Sequence, residues 1–482
     1  MRKRIKNWKE ITKTGYPVSL LSIDKDQLFA EKDLTMYTPH TQADRDAMLK
    51  AIGVNELEDL FQCLPDKGKF PNLELPDGIS EMEALDELQF ISSVNETPQE
   101  LVSFLGAGAY NHYIPAVVDS ILRRSEFYTA YTPYQPEIAQ GTLQAIFEYQ
   151  SLIASLTGMD VSNASHYDGA TAVAEAVNMA YHNFRGKRRK IVLSNAVNPQ
   201  YRETIQTYMK GMDLEFVGED LDPEAGPDDL IELIDENTAL VLVQYPDFFG
   251  RIFDLTKLSE AAHAKKALFS VHINPISLGL LKPPSEFDAD IVTGEGQPLG
   301  IPMSFGGPYL GLFATKKQYV RKMAGRLAGE TVDTHGNRGY VLTLNTREQH
   351  IRREQATSNI CTNQGLIALA STVYLSLLGK SGLQELAKLN YHKAHYAADK
   401  ISTVPGFIIN PVQPFFNEFV VHCPAPAEEV NQHLLSRDIL GGYDLGMVYP
   451  SQKYELLVAV TEMNTRAEID YMVEVLEEEY HD

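Results

Sequence analysis

From Tyr128 to Gly141 the chain reads "YTAYTPYQPEIAQG", bringing the phenols of Tyr128, Tyr131 and Tyr134 together with Gln135, Glu137 and Gln140. Pro133 and Pro136 rule out a regular helix, so the segment is a stiff loop that presents aromatic and hydrogen-bonding groups side by side. Such rings serve as packing at a subunit interface or as the lining of a ligand site, and the two roles are compatible. Downstream, "SHYDGATAVAEA" (165–176) sets small residues at the start of a helix, where backbone N–H groups suit a phosphate. Asp168 opposes that use, because its carboxylate makes a good helix cap but repels a dianion. A third stretch, "DADIVTGEGQPLGIPMSFGGPYLGLFATK" (288–316), follows a strand-like run and is notable for what it lacks. Between Pro283 and Thr315 there is no lysine to form an imine with a carbonyl cofactor.

Other motifs carry less. "GAGAY" at Gly106 lacks the third glycine and the preceding strand of a dinucleotide fingerprint and reads as a turn. His392 and His395 lack the spacing of a zinc protease helix and read as solvated surface residues, and "GKRRK" at Gly186 reads as a solvated loop. Cys63, Cys361 and Cys423 form no C-x-x-C pair and are expected to be reduced, buried thiols. No metal site is indicated.

The chain has 482 residues, 44% hydrophobic and 22% charged, which suits a folded protein of two or three domains. A formal net charge of −23 argues against nucleic acid or an anionic membrane surface as a partner. No apolar run approaches the roughly 20 residues of a membrane span, and the basic start "MRKRIKNWKEITK" lacks the apolar stretch of an export signal. A cytoplasmic location is expected.

Capped helices should open the ordered chain. "HTQADRDAMLKAIG" offers Thr41 as N-cap, Asp44 at N3 and Gly53 past the end; "NELEDLFQCLP" runs from Asn55 to Pro65. "SEMEALDELQF" pairs Ser80 with Glu83, and "TPQELVSFLG" pairs Thr97 with Glu100. These predict an N-terminal helical arm over 36–105. Next, the strands "KIVLS", "LEFVG", "TALVLVQYP", "ALFSVHI", "DADIVTG" and "LGLFATK" alternate with helical patterns, which predicts βαβ units and a largely parallel sheet over 106–380. A helix from Asn363 to about Leu378 follows. The strands "EFVVHC" and "ELLVAVT" and the helix "AEIDYMVEVLEEEY" predict a smaller C-terminal α+β domain over 381–482.

The 128–176 region, together with "LTLNTREQHIRREQATSNICTNQ" (342–364) and "MYTPHTQADRDAML" from Met36, closely resembles the N-terminal half of the glycine cleavage system P-protein. The resemblance covers 36 to the C-terminus and implies the fold of aspartate-aminotransferase-like, pyridoxal phosphate (PLP)-dependent transferases, fold type I. In the two-gene form it implies an alpha subunit in an α2β2 heterotetramer. There the beta subunit carries PLP, glycine is decarboxylated, and the aminomethyl group passes to the lipoyl arm of the H-protein. The residues at the expected cofactor positions are unsuitable. Gln297 and Pro298 stand where the lysine belongs, and no acid lies between Ala267 and Ser285, where His272 and Asn274 are the nearest substitutes. With Asp168 they define a degenerate pocket, so no covalent cofactor is expected on this chain. Lys282 comes too early, and Lys316 and Lys317 lie beyond the next strand. Asn198 and Asn274 depart from the family's expected His and Asp. The loop residues Tyr131, Tyr134, Gln135, Glu137 and Gln140 become candidate contributors to the partner's active site. An autonomous PLP lyase or transferase and a pure scaffold are the alternatives. Residues 1–35 have no counterpart in the resemblance and read as an extension, for which an over-long gene start is one explanation.

Overall fold

The computed structural model describes residues 40–65, 68, 78–98, 100–304, 306–409 and 413–480. The expected extension 1–35 lies outside them. The chain divides into two units, 1–92 and 93–482.

In the first unit, α1 (Gln42–Ile52) begins as its sequence dictates. Asp44 N donates to the Thr41 hydroxyl, Thr41 N donates to the Asp44 carboxylate at 2.8 Å, and Gly53 closes the helix at φ 88°. The same reciprocal cap, Ser80 with Glu83, opens α2 (Glu81–Ser92). Between them the expected helix from Asn55 shrinks to a 3-10 turn over Leu57–Phe61. The Asp59 carboxylate accepts from both Asn55 N and Glu56 N, a local bond that holds the chain out of α-helix.

The second unit opens with a correction. "TPQELVSFLG" makes one turn at Thr97 and then enters β1 (Val102–Ser103), which pairs in parallel with Ile439–Leu440. Val102 N donates to Asp438 O, Phe104 N donates to Leu440 O, and the Phe104 ring is fully buried. Strand pairing and burial outweigh the local helix signal.

The helix α3 (Gln140–Thr157), ended by Gly158 at φ 71°, leads to the seven-stranded sheet. Its strands are β2 (Val161–Ser162), β3 (Lys190–Leu193), β4 (Glu215–Val217), β5 (Thr238–Tyr245), β6 (Leu268–Ile273), β7 (Ile291–Glu295) and β8 (Gly311–Thr315), in the order β2-β8-β7-β6-β5-β3-β4. From β4 to β7 every pair is parallel; β8 and β2 run antiparallel at one edge. Alternate residues serve opposite faces. Ile191, Leu193, Leu240 and Leu242 pack under α4 (Gly169–Asn183) and α5 (Pro199–Met209), while Val192, Val241, Val243 and Phe269 pack against α6 (Thr256–Ala264). Both faces are covered, which explains the near-continuous apolar runs. The hairpin of β9 (Ala328–Val332) and β10 (Arg338–Leu342) lies beside α3.

The helix expected from Asn363 to about Leu378 runs from Gly365 and breaks at Gly379, with φ 56° and ψ −171°; a second helical stretch follows to Ile401, and the two together are α7 (Gly365–Ile401). By length and composition only, α7 is long and apolar enough to cross a membrane. It packs instead as core: Ala368, Tyr374 and Leu375 are buried against Tyr149 and Ile153 of α3. Beyond it, β11 (Ile408–Ile409), β12 (Glu418–His422), β14 (Tyr443–Asp444) and β15 (Glu455–Ala459) form an antiparallel sheet in the order β11-β12-β15-β14, with β13 (Ile439–Leu440) paired to β1. Helix α8 (Arg466–Glu479) covers this sheet.

Three smaller expectations change. Cys423 is buried, but Cys63 and Cys361 are exposed. His392 is exposed, whereas His395 stacks flat on Phe415 at 4.0 Å. Arg188 of the basic "GKRRK" stretch donates to Thr238 O and Lys265 O, fastening that loop to the sheet.

Gly250 and Gly336 share φ 82°, but an added Cβ at Gly250 would lie 2.1 Å from the Glu418 carbonyl oxygen, and at Gly336 it meets nothing. Gly336→Ala should therefore lower unfolding free energy by about 1 kcal/mol from backbone strain alone. Gly250→Ala should cost about 3 kcal/mol or more, because β12 must also move. Equal denaturant midpoints for the two variants would contradict this packing.

Candidate functional site

Open α/β sheets hold ligands beyond the carboxyl ends of their parallel strands. Here that space is filled by the chain itself. Asp168 caps α4, its carboxylate accepting from Thr171 N at 2.7 Å. The adjoining Gly169 N–H is taken by Glu295, the last residue of β7. Its Oε2 accepts from Gly169 N at 2.8 Å, and its Oε1 from Gln297 N at 2.9 Å and Leu310 N at 3.1 Å. A Cβ on Gly169 would come within 3.0 Å of the Glu295 Cα, so helix start and strand end touch directly. Burial pushes the Glu295 carboxyl up to about 8, against the pull of the three N–H donors.

Gln297, at the expected lysine position, is buried and saturated. Its Oε1 accepts from Tyr110 N at 2.9 Å, and its Nε2 donates to Tyr110 O at 2.9 Å and Ile301 O at 2.8 Å. Pro298 follows in the same turn. His272 is buried with Nδ1 3.0 Å from the Thr293 hydroxyl and its ring edge-on to Tyr201 at 4.9 Å. Burial lowers it to about 3, leaving a neutral imidazole. Asn274 accepts from Ile276 N and donates to Asn417, and Asn198 caps α5 by accepting from Gln200 N. PLP needs an imine-forming amine, an acid for the pyridine nitrogen and N–H groups free for its phosphate. The first two are missing and Glu295 occupies the third, so the residues present do not fit PLP. Sequence reasoning missed Glu295, although an acid between two glycines at the end of the apolar "IVTGEG" run was a readable signal.

The tyrosine loop is placed quite differently. Tyr131 and Tyr134 are 82% and 66% exposed, their rings 6.4 Å apart, and Tyr128, Gln135 and Glu137 are also exposed. Gln140 does not join them. Its Nε2 donates to Pro136 O and Tyr340 O and its Oε1 accepts from Tyr340 N, which clamps the loop to β10. Two small cavities flank the loop. One of about 200 Å³ is lined by Tyr128, Tyr131, Pro133, Arg326 and Asn363. The other, about 100 Å³, is lined by Thr132, Tyr134, Arg326, Asn345, Glu348 and His350. The 342–364 motif thus returns to the loop in space.

The family model for the glycine cleavage system P-protein matches residues 35–476. The chain belongs to the glycine cleavage system P-protein family. It is 54% identical over 446 residues to the probable glycine dehydrogenase (decarboxylating) subunit 1 of Thermomicrobium roseum, covering 92% of this chain and 99% of that protein. Among solved structures, the inhibitor-bound glycine decarboxylase (P-protein) of the glycine cleavage system is 41% identical with a TM-score of 0.83, over 92% of this chain and 99% of that one. The glutamate decarboxylase of Lactobacillus brevis, 12% identical with a TM-score of 0.63 over 86% of this chain and 96% of that one, shares the fold alone. The expected PLP-dependent transferase fold is therefore shown, even though its cofactor centre is filled in this member.

Glu295 holds its proton more tightly folded, at about 8, than unfolded, at 4.5. Its stabilising contribution is complete below about pH 4.5 and lost as pH rises through about 8. Glu295→Gln, which cannot titrate and resembles the protonated acid, should lose less stability between pH 5 and 9. Denaturant unfolding across that range measures it, and an unchanged slope would show that Glu295 is not the titrating group.

Proposed function

We propose that this chain is the alpha subunit, subunit 1, of a glycine dehydrogenase (decarboxylating). The observation that carries the reading is the filled cofactor centre in a member of the P-protein family: the chain has the enzyme's fold and no amine where the cofactor would be held. Catalysis then belongs to a partner. In this reading the beta subunit, subunit 2, carries PLP, two copies of each chain form an α2β2 heterotetramer, and glycine is decarboxylated with transfer of its aminomethyl group to the lipoyl arm of the H-protein. We place it in the cytoplasm, where free thiols such as its three cysteines persist.

Two features support a subunit role. Met82, Leu85, Leu88 and Ile91 on α2 are all exposed, an apolar surface of the sort that marks contact with another chain. The tyrosine loop is braced by Pro133 and Pro136, so its rings and Glu137 can meet a partner with little further loss of conformational freedom. In the assembly these groups would orient substrate and help keep water out. A purely structural subunit is the second reading, favoured by the clamped Gln140.

Exchange of labelled CO2 into glycine should require both chains; exchange by this chain alone would overturn the reading. In the intact heterotetramer, Tyr134→Phe or Glu137→Gln should lower turnover by roughly 10- to 1,000-fold, as for loss of one positioned polar group. Wild-type turnover from both variants would leave the loop an interface and the chain a scaffold.

A further inference from the structure

Arg326 is only 7% exposed, yet its Nη1 donates to neutral groups, the Thr362 hydroxyl at 3.0 Å and the Asn363 amide oxygen at 3.1 Å. None of the ion pairs among the described residues includes it. A buried guanidinium without a counter-charge is strongly unfavourable, and a ligand anion removes the penalty. The same small cavity is lined by an opposite deficit. The Glu348 side chain is 4% exposed and its Oε1 has no hydrogen-bond donor; within 4 Å its Oε2 meets only His350 Nδ1, at 3.8 Å, and the Arg347 guanidinium interacts with it at longer range. Asn345, also on the wall, leaves its Oδ1 without a donor. Next in sequence, Arg347 leaves Nε unpaired and spends Nη2 on Gly325 O at 2.7 Å.

One wall of this cavity therefore lacks an anion, and another lacks a donor. We propose that the cavity bounded by Tyr134, Arg326, Asn345 and Glu348 is a binding site for a small α-amino acid held as its zwitterion, with the carboxylate on Arg326 and the ammonium on Glu348 and Asn345. At about 100 Å³ it admits a molecule of a few heavy atoms and excludes a cofactor ring or a lipoyl chain. Charge-assisted hydrogen bonds at both ends recognise the two groups together and discriminate against either one alone. That the ligand is an α-amino acid rests on the cavity; that it is glycine rests on the function proposed above. The site lies behind the tyrosine loop, where the chain would gather substrate beside its partner.

The test is calorimetric titration of the full chain, without its partner, with glycine, acetate and methylammonium. Glycine should bind at one saturable site, at least tenfold more tightly than acetate or methylammonium. Arg326→Gln and Glu348→Gln should each weaken glycine at least tenfold while the unfolding transition shows a folded chain. Arg326→Lys and Glu348→Asp serve if the first pair does not fold, and should retain part of the binding. No saturable binding of glycine in the millimolar range, acetate binding as well as glycine, or folded variants binding like wild type would each overturn the site. CO2 exchange by the two chains together separates the outcomes: an active pair with no glycine bound to this chain sinks the site and spares the function. Glycine bound to this chain with an inactive pair does the reverse.

Discussion

The contact on which the rest depends is a buried carboxyl group seated on a helix N-terminus. Glu295 ends β7 and accepts from the first N–H of α4 and from two further backbone N–H groups, one of them just before β8. One side chain thus joins two strands and the most deeply buried helix of the large sheet. A helix N-terminus leaves backbone N–H groups in want of acceptors. By supplying an acceptor internally, Glu295 lets the chain keep the architecture of a cofactor enzyme and closes the place where a phosphate would lie. Gln297 completes the closure by holding the Tyr110 backbone with both ends of its amide.

Beside this filled centre, the chain just before the Asp168 cap touches the tyrosine-loop region: Ala164 N donates to Arg326 O, and Asn363 Nδ2 donates to Ala164 O. The tyrosine loop is stiffened by prolines and fastened at Gln140, and its outer rings are left exposed. Behind it the 342–364 motif supplies Asn345, Glu348 and Asn363, and the chain before β9 supplies Arg326. Polar groups that satisfy one another are architecture; those left wanting on a cavity wall call for a ligand. Glu295 is of the first kind, and Glu348 Oε1 and Asn345 Oδ1, on the cavity that Arg326 also lines, are of the second.

Much of this was legible in the residues. Six of the seven strands of the large sheet read as apolar runs because both faces are covered, and the caps at Thr41, Ser80 and Asp168 announced their helices through side chains acting within three residues. The missing lysine was visible as an interval. What was hidden depended on distant partners. Thr97 signals a helix that β13 overrides by pairing with β1, and Asn55 signals one that Asp59 undoes. Glu295 looked like an ordinary acid until α4 was placed against it, and Arg326 lay outside every motif until the loop and the 342–364 segment met around it.

This chain has the fold of PLP enzymes, and we propose that a partner holds the cofactor. Reduction of the assembled two-chain enzyme with borohydride, followed by peptide mapping, tests this directly: pyridoxyl-lysine is expected on the partner and none on this chain. A stoichiometric pyridoxyl group on any lysine of this chain, Lys282 and Lys316 being those that bracket the filled centre, would contradict it.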